Sequence, residues 1–247
     1  MRYFTAEELR NSHKKEVAEK LSQCAAKNVR YNFGIKVIKK LVRTLNLGFD
    51  IKILDLGTAG GMFLEQLAQN GFRNVYAHDI VDYLPEKKRL LVKEYKLSEL
   101  STDKMPWPDN FFDIVTAWCV IPHLENPFHC AREVLRILKP GGIFIFTTPH
   151  ILSKPSVDFF LTHRYFASYR PTNNHIALLP LSILEKTLFR GFKLLETDYL
   201  VTPKVFRDLK GKLRELAFAV GKKFPKLENY LKYRWGYNVC YILAKTI

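Results

Sequence analysis

The stretch that decides the fold is Ile53-Leu54-Asp55-Leu56-Gly57-Thr58-Ala59-Gly60-Gly61, an apolar strand that runs into a glycine-rich turn. Phe63, Leu64 and Leu67 then recur at helical spacing, so the turn opens a helix. Glycines permit backbone geometry that a side chain would obstruct, and open α/β sheets bind nucleotide-like cofactors at such strand–turn–helix units. The stretch therefore predicts an α/β fold with a ligand at residues 57–61.

Three more blocks follow at regular intervals. A second strand, Asn74-Val75-Tyr76-Ala77-His78, ends in Asp79, whose carboxylate can accept hydrogen bonds from ribose hydroxyls. The third block runs from Met105 to Asp113 and leads into a strand that ends at Trp118, and the fourth runs from Ala131 to Gly142 and leads into a strand over 143–149. In this order and spacing the four blocks resemble the class I S-adenosylmethionine-dependent methyltransferases over roughly residues 30–200.

The resemblance implies both a fold and a chemistry. The implied fold is α/β: a Rossmann-like sheet of seven mostly parallel strands, an antiparallel last strand next to the fifth, helices on both faces and helical insertions. The implied activity is that of an enzyme that transfers a methyl group from S-adenosyl-L-methionine.

The resemblance also assigns cofactor contacts by position. The glycine turn would pass beneath the methionine part, Asp79 would hold the ribose, and Ile80 would lie against the adenine. Glu99 or Ser101 would lie near the adenine amine, with Glu99 preferred. The expected cofactor-binding residues are Asp55, Gly57, Thr58, Ala59, Gly61, Asp79, Ile80, Glu99, Leu100 beside the ring, and Ala117 and Trp118 near the sulfonium.

Ala59 departs from the family pattern, which usually has glycine at this position. One added methyl group tightens the pocket, and we expect binding to survive if the φ angle of Ala59 is negative. Because of this departure, a non-catalytic protein that binds the cofactor weakly or not at all remains an alternative interpretation.

Length and composition agree with one methyltransferase domain plus embellishments. The chain has 247 residues, of which 47% are hydrophobic, enough to bury a core in one α/β domain. No apolar run approaches the ~20 residues of a membrane span, and the start of the chain lacks a signal-peptide core, so we expect a cytoplasmic protein. Cys24, Cys119, Cys130 and Cys240 lack paired spacing. We therefore expect reduced cysteines and no metal site.

The net charge of +15 is concentrated at the two ends of the chain. Residues 14–46 carry nine Lys or Arg against two acidic residues, and residues 204–234 carry ten against three. Such a surface suits anionic lipid, nucleic acid or an acidic substrate, and it can also serve solubility alone.

The pattern along the chain predicts an N-terminal helical arm over 1–33, polar and helical over 5–27, and a methyltransferase domain over 34–247 that opens with a helix over 34–46. Two insertions interrupt the domain, an irregular one at about 149–178 and a second at 203–236. In the second, Phe206, Leu209, Leu213, Leu216, Ala217 and Val220 recur at helical spacing. The preferred interpretation is that this stripe packs on the domain, in a helix that covers the sheet edge or caps the active site with its basic residues in water. The alternative is a helix at the inner face of an anionic membrane, with aromatic residues at headgroup depth.

Three histidines could accept the proton of a hydroxyl acceptor, since neutral imidazole is a base near pH 7. His123 follows the fourth strand, His150 follows the fifth, and His175 ends the irregular insertion. Each could equally be a hydrogen-bonded structural histidine.

The absence of two sequence motifs reduces the range of possible methyl acceptors. The fourth strand is not followed by the Asn/Asp-Pro-Pro-aromatic run of amino-methylating nucleic-acid enzymes, and no carboxylate cluster suggests a magnesium-dependent catechol site. The stretch from Thr148 to Phe192 resembles methyltransferases encoded among bacterial and archaeal surface-glycan genes, and Arg164 and Arg170 suit anionic sugars.

We therefore expect O-methylation of a glycan or another small hydroxylated metabolite. The alternatives are an RNA methyltransferase, with nucleic acid less favoured as a partner, and a lipid or quinone-precursor methyltransferase.

Overall fold

The computed structural model of the chain describes residues 24–202 and 211–246. Its strands are β1 (Ile53–Leu56), β2 (Val75–Asp79), β3 (Glu94–Leu97), β4 (Phe112–Trp118), β5 (Leu138–Pro149), β6 (Phe192–Leu200) and β7 (Asn238–Lys245). Its helices are α1 (Cys24–Thr44), α2 (Met62–Gln69), α3 (Glu86–Arg89), α4 (Pro127–Ile137), α5 (Lys154–His163), α6 (Leu181–Lys186), α7 (Gly211–Gly221) and α8 (Pro225–Trp235), with a 3-10 turn at Ile121–His123.

The strands form one sheet in the order β3-β2-β1-β4-β5-β7-β6. β1 to β5 pair in parallel, whereas β7 pairs antiparallel with both β5 and β6. β7 is therefore the antiparallel last strand next to the fifth, and the Rossmann-like fold class predicted from the sequence is confirmed.

The central strands β1, β2 and β4 are buried along nearly their whole length and consist mainly of apolar residues, because helices cover both faces of the sheet. In β4, Ile114 and Trp118 point into the core beneath α1 and α2, whereas Val115 and Ala117 point into the core beneath α4. Asn126 caps α4, and its side-chain oxygen accepts a hydrogen bond from the His129 N–H at 3.0 Å. The apolar strand pattern predicted from the sequence therefore corresponds to strands that are buried on both faces of the sheet.

Several predicted boundaries differ from the structure. Of the predicted arm, residues 1–23 lie outside the described residues, and α1 runs unbroken from Cys24 to Thr44, so the predicted boundary at residue 34 falls inside a helix. The prediction that 149–178 is irregular was wrong, because it contains α5. Pro155 suggests a loop in the sequence, but it lies in the first turn of α5, where proline is compatible with a helix.

The second insertion contains α7 and α8, while residues 203–210, with Phe206 and Leu209, lie outside the described residues. The preferred prediction that its apolar stripe packs on the domain, at the sheet edge or over the active site, was wrong for Leu213, Leu216 and Val220, whose exposed fractions are 71%, 63% and 44%. Among the helices of the described ranges, none combines the length and apolar character needed to cross a bilayer.

Candidate functional site

The carboxyl ends of β1, β2 and β4 meet at one edge of the sheet and bring the glycine turn, Asp79 and Trp118 together. Gly57 has a φ of 64°, and a Cβ there would lie 2.5 Å from Cγ2 of Val120. Gly61 has a φ of 69°, and a Cβ there would lie 2.6 Å from Cδ1 of Leu84. A side chain at either position would be both strained and obstructed, so the turn requires these glycines.

Ala59 also lies in the left-handed region, with a φ of 48°. The negative φ on which we made cofactor binding conditional is therefore not observed. Its backbone N–H donates a hydrogen bond to Oδ2 of Asp79 at 2.7 Å, which fixes the peptide in this orientation. An L-residue in this conformation costs about 1 kcal/mol, and the hydrogen bond to a buried carboxylate offsets that cost.

Asp79 ends β2 and is only 6% exposed. Its Oδ1 accepts a hydrogen bond from the Ile80 N–H at 2.8 Å, and Oδ2 accepts the one from Ala59. Burial raises the pKa of Asp79 to about 6, against the lowering effect of these backbone hydrogen bonds. Asp79 thus couples the end of β2 to the turn after β1, and its carboxylate is the group that ribose hydroxyls could approach.

Asp55 stabilises the glycine turn through hydrogen bonds with two threonine hydroxyls. Its Oδ1 accepts a hydrogen bond from the Thr116 hydroxyl at 2.7 Å, and the Thr58 hydroxyl lies 3.2 Å from its Oδ2 and 2.9 Å from its carbonyl oxygen. Burial raises the pKa of Asp55 to about 7, whereas the two threonine hydrogen bonds lower it. Of the expected cofactor-binding residues, Asp55 and Thr58 therefore hold the turn to β4.

The residues that we expect near the adenine differ in burial and in their contacts. Ile80 is half-buried beside Asp79, and the Glu99 carboxylate accepts a hydrogen bond from the Ser101 N–H at 3.0 Å. Leu100 is 5% exposed, and its side chain packs in the core cluster that contains Tyr76 and Met105. Leu100 can therefore offer little side-chain surface to a ring.

At the other end of the site, Trp118 lies beneath α1. Its indole packs edge-on against Phe63, with ring centroids 5.0 Å apart. A Cβ on Gly34 would lie 2.4 Å from the Trp118 ring, so α1 can approach β4 this closely only with glycine at that position. Ala117 is fully buried on the opposite face of the sheet.

Arg30 on α1 is a functional candidate that the sequence analysis missed. Its Nη1 donates a hydrogen bond to the carbonyl oxygen of Trp118 at 3.2 Å, where β4 ends. Its Nε is buried and has no hydrogen-bond partner among the described residues. A buried guanidinium N–H without an acceptor is costly, and a carboxylate is the ligand that best satisfies it. No local signal in the sequence indicates this role, since Arg30 is one of many basic residues in its region.

His123 and His175 come together above the end of β4, with ring centroids 4.4 Å apart. Nδ1 of His123 lies 3.2 Å from the Asn174 carbonyl oxygen, and Nδ1 of His175 lies 2.6 Å from the Ser168 carbonyl oxygen. Because a carbonyl oxygen can only accept, Nδ1 carries the proton in each neutral ring, and Nε2 is the basic nitrogen. The backbone joins the same two segments, since the Ile176 N–H donates to the Pro122 carbonyl at 2.8 Å.

His150 has a different environment. It is 7% exposed between the rings of Tyr199 and Tyr233, and its Nε2 donates to the Tyr233 carbonyl at 2.9 Å. Burial lowers the pKa of His150. These contacts hold α8 against the sheet, so the geometry favours a structural function for His150 over that of a catalytic base.

A surface groove of about 650 Å³ lies between α2 and α3. It is lined by Glu65, Ala68, Gln69, residues 85–88 and Leu91, none of which is an expected cofactor-binding residue. The groove is open to solvent and carries charged side chains. The candidate site therefore lies at the strand ends, where glycines, a buried carboxylate and the histidine pair converge.

Comparison with known proteins points to a methyltransferase. Residues 54–146 match a family model described as a methyltransferase domain. The ubiquinone biosynthesis O-methyltransferase of Rickettsia canadensis is 28% identical over 204 residues, 80% of this chain and 81% of the relative. Its counterpart in Rickettsia felis is 30% identical over 142 residues, which span 56% of this chain and 58% of the relative.

A putative methyltransferase of Bacillus halodurans has the same fold, with a TM-score of 0.52 and 22% identity, over 85% of this chain and 98% of that one. The glycine turn, the buried Asp79 and these similarities identify the chain as a class I S-adenosylmethionine-dependent methyltransferase. Its cofactor is S-adenosyl-L-methionine.

Proposed function

We propose that this methyltransferase acts on a hydroxyl oxygen and that His123 and His175 receive the proton. S-adenosylmethionine supplies a sulfonium methyl group, which is already electrophilic, so the chain must mainly orient the acceptor and remove its proton. The observation that carries the proposal is the histidine pair, whose Nδ1 atoms both face carbonyl oxygens and whose Nε2 atoms are therefore the bases.

Variants of the pair test this proposal. We expect His123→Ala and His175→Ala to lower kcat by about a hundredfold, the usual contribution of a positioned general base, with S-adenosylhomocysteine affinity unchanged. His163→Ala is the matched control, because His163 is an exposed histidine that stacks on Phe159. Full activity in both His123→Ala and His175→Ala would contradict the proposal.

For the cofactor we propose that the ribose hydroxyls bind the Asp79 carboxylate and that Arg30 binds the methionine carboxylate. The adenine then lies against Ile80, with Glu99 near its amine, and the sulfonium lies near Ala117 and Trp118. The buried Nε of Arg30 supports this orientation, because it directs a positive charge at the end of β4.

Binding measurements with two ligands distinguish the methionine-carboxylate end of this site from the ribose end. S-adenosylhomocysteine carries the methionine carboxylate, whereas 5′-methylthioadenosine has the same nucleoside without it. We expect Arg30→Ala to weaken binding of the first about tenfold or more, the value of a charge-assisted hydrogen bond, and to leave the second unchanged. Asp79→Asn should weaken both. Equal losses for both ligands in Arg30→Ala would remove Arg30 from the carboxylate position.

For the acceptor we propose an aromatic hydroxyl of a quinone precursor first and a glycan hydroxyl second. The names of the relatives support the first class. The resemblance of residues 148–192 to glycan-modifying enzymes, with Arg164 and Arg170 in that stretch, supports the second. Transfer of radiolabelled methyl groups to a cell extract, fractionated into lipid, glycan, RNA and protein, distinguishes the classes, and label in RNA alone would contradict both.

We also propose peripheral contact of residues 203–236 with an anionic membrane. The described part of this range, 211–235, carries seven Lys or Arg against two Glu. Quinone precursors and lipid-linked sugars are both amphiphilic, so a membrane contact would bring the enzyme to either acceptor.

A further inference from the structure

The hairpin formed by α7 and α8 presents an apolar surface to solvent. In α7, Leu213, Leu216 and Val220 lie on one face of the helix and are exposed. Phe224, between the helices, and Leu227 and Tyr230 in α8 are 58%, 38% and 53% exposed. An amphipathic helix in a globular domain normally turns such a stripe toward the core, so this exposed surface is a candidate interaction site.

The hairpin is held to the domain by its other side, and the exposure of the stripe therefore does not come from loose packing. Leu231 is buried, and a Cβ on Gly221 would lie 3.1 Å from its Cδ1, which brings the end of α7 close to α8. The guanidinium of Arg214 lies 4.5 Å from the centroid of the Trp235 ring and links the two helices. The hydrogen bond between His150 and Tyr233 then fixes α8 to the end of β5.

The charge of the hairpin indicates what covers the stripe. Lys222, Lys223 and Lys226 surround Phe224 at the tip and are all exposed. An aromatic ring among lysines suits the headgroup region of an anionic bilayer, where the ring is half-immersed and the ammonium groups meet lipid phosphates. Nucleic acid would use the lysines but would leave the Leu213–Val220 stripe in water.

The position of the hairpin relates this surface to the site. β6 ends at Leu200 before the hairpin, and β7 begins after it at Asn238, which pairs with Pro149 at the end of β5. The hairpin therefore extends from the same edge of the sheet as the glycine turn and the histidine pair. We infer that the α7–α8 hairpin docks on an anionic bilayer and turns the sheet edge that carries the histidine pair toward the lipid, an orientation that rests on the proposed function and the proposed membrane contact.

Vesicle flotation of the full chain tests the docking surface. We expect the chain to float with vesicles of equal parts phosphatidylcholine and phosphatidylglycerol and not with phosphatidylcholine alone. Leu213→Ser combined with Leu216→Ser should weaken binding at least about tenfold, since two leucines leave the apolar phase. Leu90→Ser is the matched control, because Leu90 is 89% exposed but lies beside α3. It should bind like the wild type.

Charge variants test the choice of an anionic surface. Lys222→Glu with Lys223→Glu should abolish flotation, whereas Lys36→Glu with Lys39→Glu on α1 should have a much smaller effect. The inference is overturned if the wild type does not float, if the leucine variant floats equally well, or if the chain binds single-stranded RNA and not vesicles.

Calorimetry with S-adenosylhomocysteine in vesicle-free buffer should give wild-type affinity in every hairpin variant. This measurement separates failure of the docking surface from failure of the cofactor assignment. A hairpin variant that loses cofactor affinity together with flotation would show that the hairpin acts through the fold, and would also overturn the inference.

Discussion

Binding of S-adenosylhomocysteine should tighten about tenfold between about pH 5 and about pH 7, because Asp79 must be ionised to accept two ribose hydrogen bonds. Burial raises the pKa of Asp79 to about 6 in the unliganded chain. At about pH 5 only about a tenth of the molecules then carry the carboxylate, whereas at about pH 7 about nine-tenths do. The ratio corresponds to about 1.4 kcal/mol of binding free energy.

The sign follows from the direction of the shift. Ribose hydroxyls donate to the charged form, so the bound state has a lower Asp79 pKa than the free state, and binding releases a proton. Affinity therefore rises with pH through the free-state pKa and levels off above it. Asp55, with a pKa of about 7, keeps its two threonine partners in both states and should contribute little to the difference.

Calorimetry at several pH values measures this dependence, and repeating it at about pH 6 in buffers with different ionisation heats should give release of about half a proton. Asp79→Asn is the control, because its side chain cannot ionise and it should bind weakly with no pH dependence in this range. A wild-type affinity that is flat between about pH 5 and about pH 7, or an Asp79→Asn variant with the same slope as the wild type, would show that ionisation of Asp79 does not control ribose binding.

Three further outcomes are expected. Ala59→Gly should raise the free energy of unfolding by up to about 1 kcal/mol in urea titrations, because it relieves a left-handed alanine, and a lower stability would contradict the strain argument. Gly34→Ala should lower that free energy by about 1–3 kcal/mol and weaken cofactor binding, since the new methyl group meets Trp118. A cofactor affinity that is unchanged in calorimetry would show that the position of α1 does not affect the site. Burial lowers the pKa of His78 to about 4, so stability should fall by about 2–3 kcal/mol as pH drops from the unfolded-state value of 6.5 to about 4.5, and His78→Gln should remove that fall.

The sequence predicted the fold well because its signals are local. The strand that ends at Leu56, the glycine turn and the helix that starts after Gly61 are adjacent in the chain, and the strand and the helix each have their own periodicity. α5 was missed because Lys154-Pro155-Ser156 looks like a loop until the helix that follows it is known. The exposed face of α7 was missed for another reason: periodicity shows which residues share a face, but not which neighbour that face meets.

The candidate site was only partly predictable. Asp79 follows a strand and could be chosen by position, whereas the positive φ of Ala59 depends on a hydrogen bond to a residue 20 positions away. Arg30 meets Trp118 across 88 residues, so no local pattern distinguishes it from the other basic residues. His123 and His175 could be named as candidates, but their pairing depends on how residues 164–178 fold back on the 3-10 turn.

We expect the nucleoside to bind at the carboxyl ends of β1 and β2. A crystal structure of the chain with S-adenosylhomocysteine would reveal its position. The methionine part should lie over residues 57–61, with both ribose hydroxyls within hydrogen-bond distance of the Asp79 carboxylate. A nucleoside in the groove between α2 and α3, or a ribose that makes no contact with Asp79, would contradict this expectation.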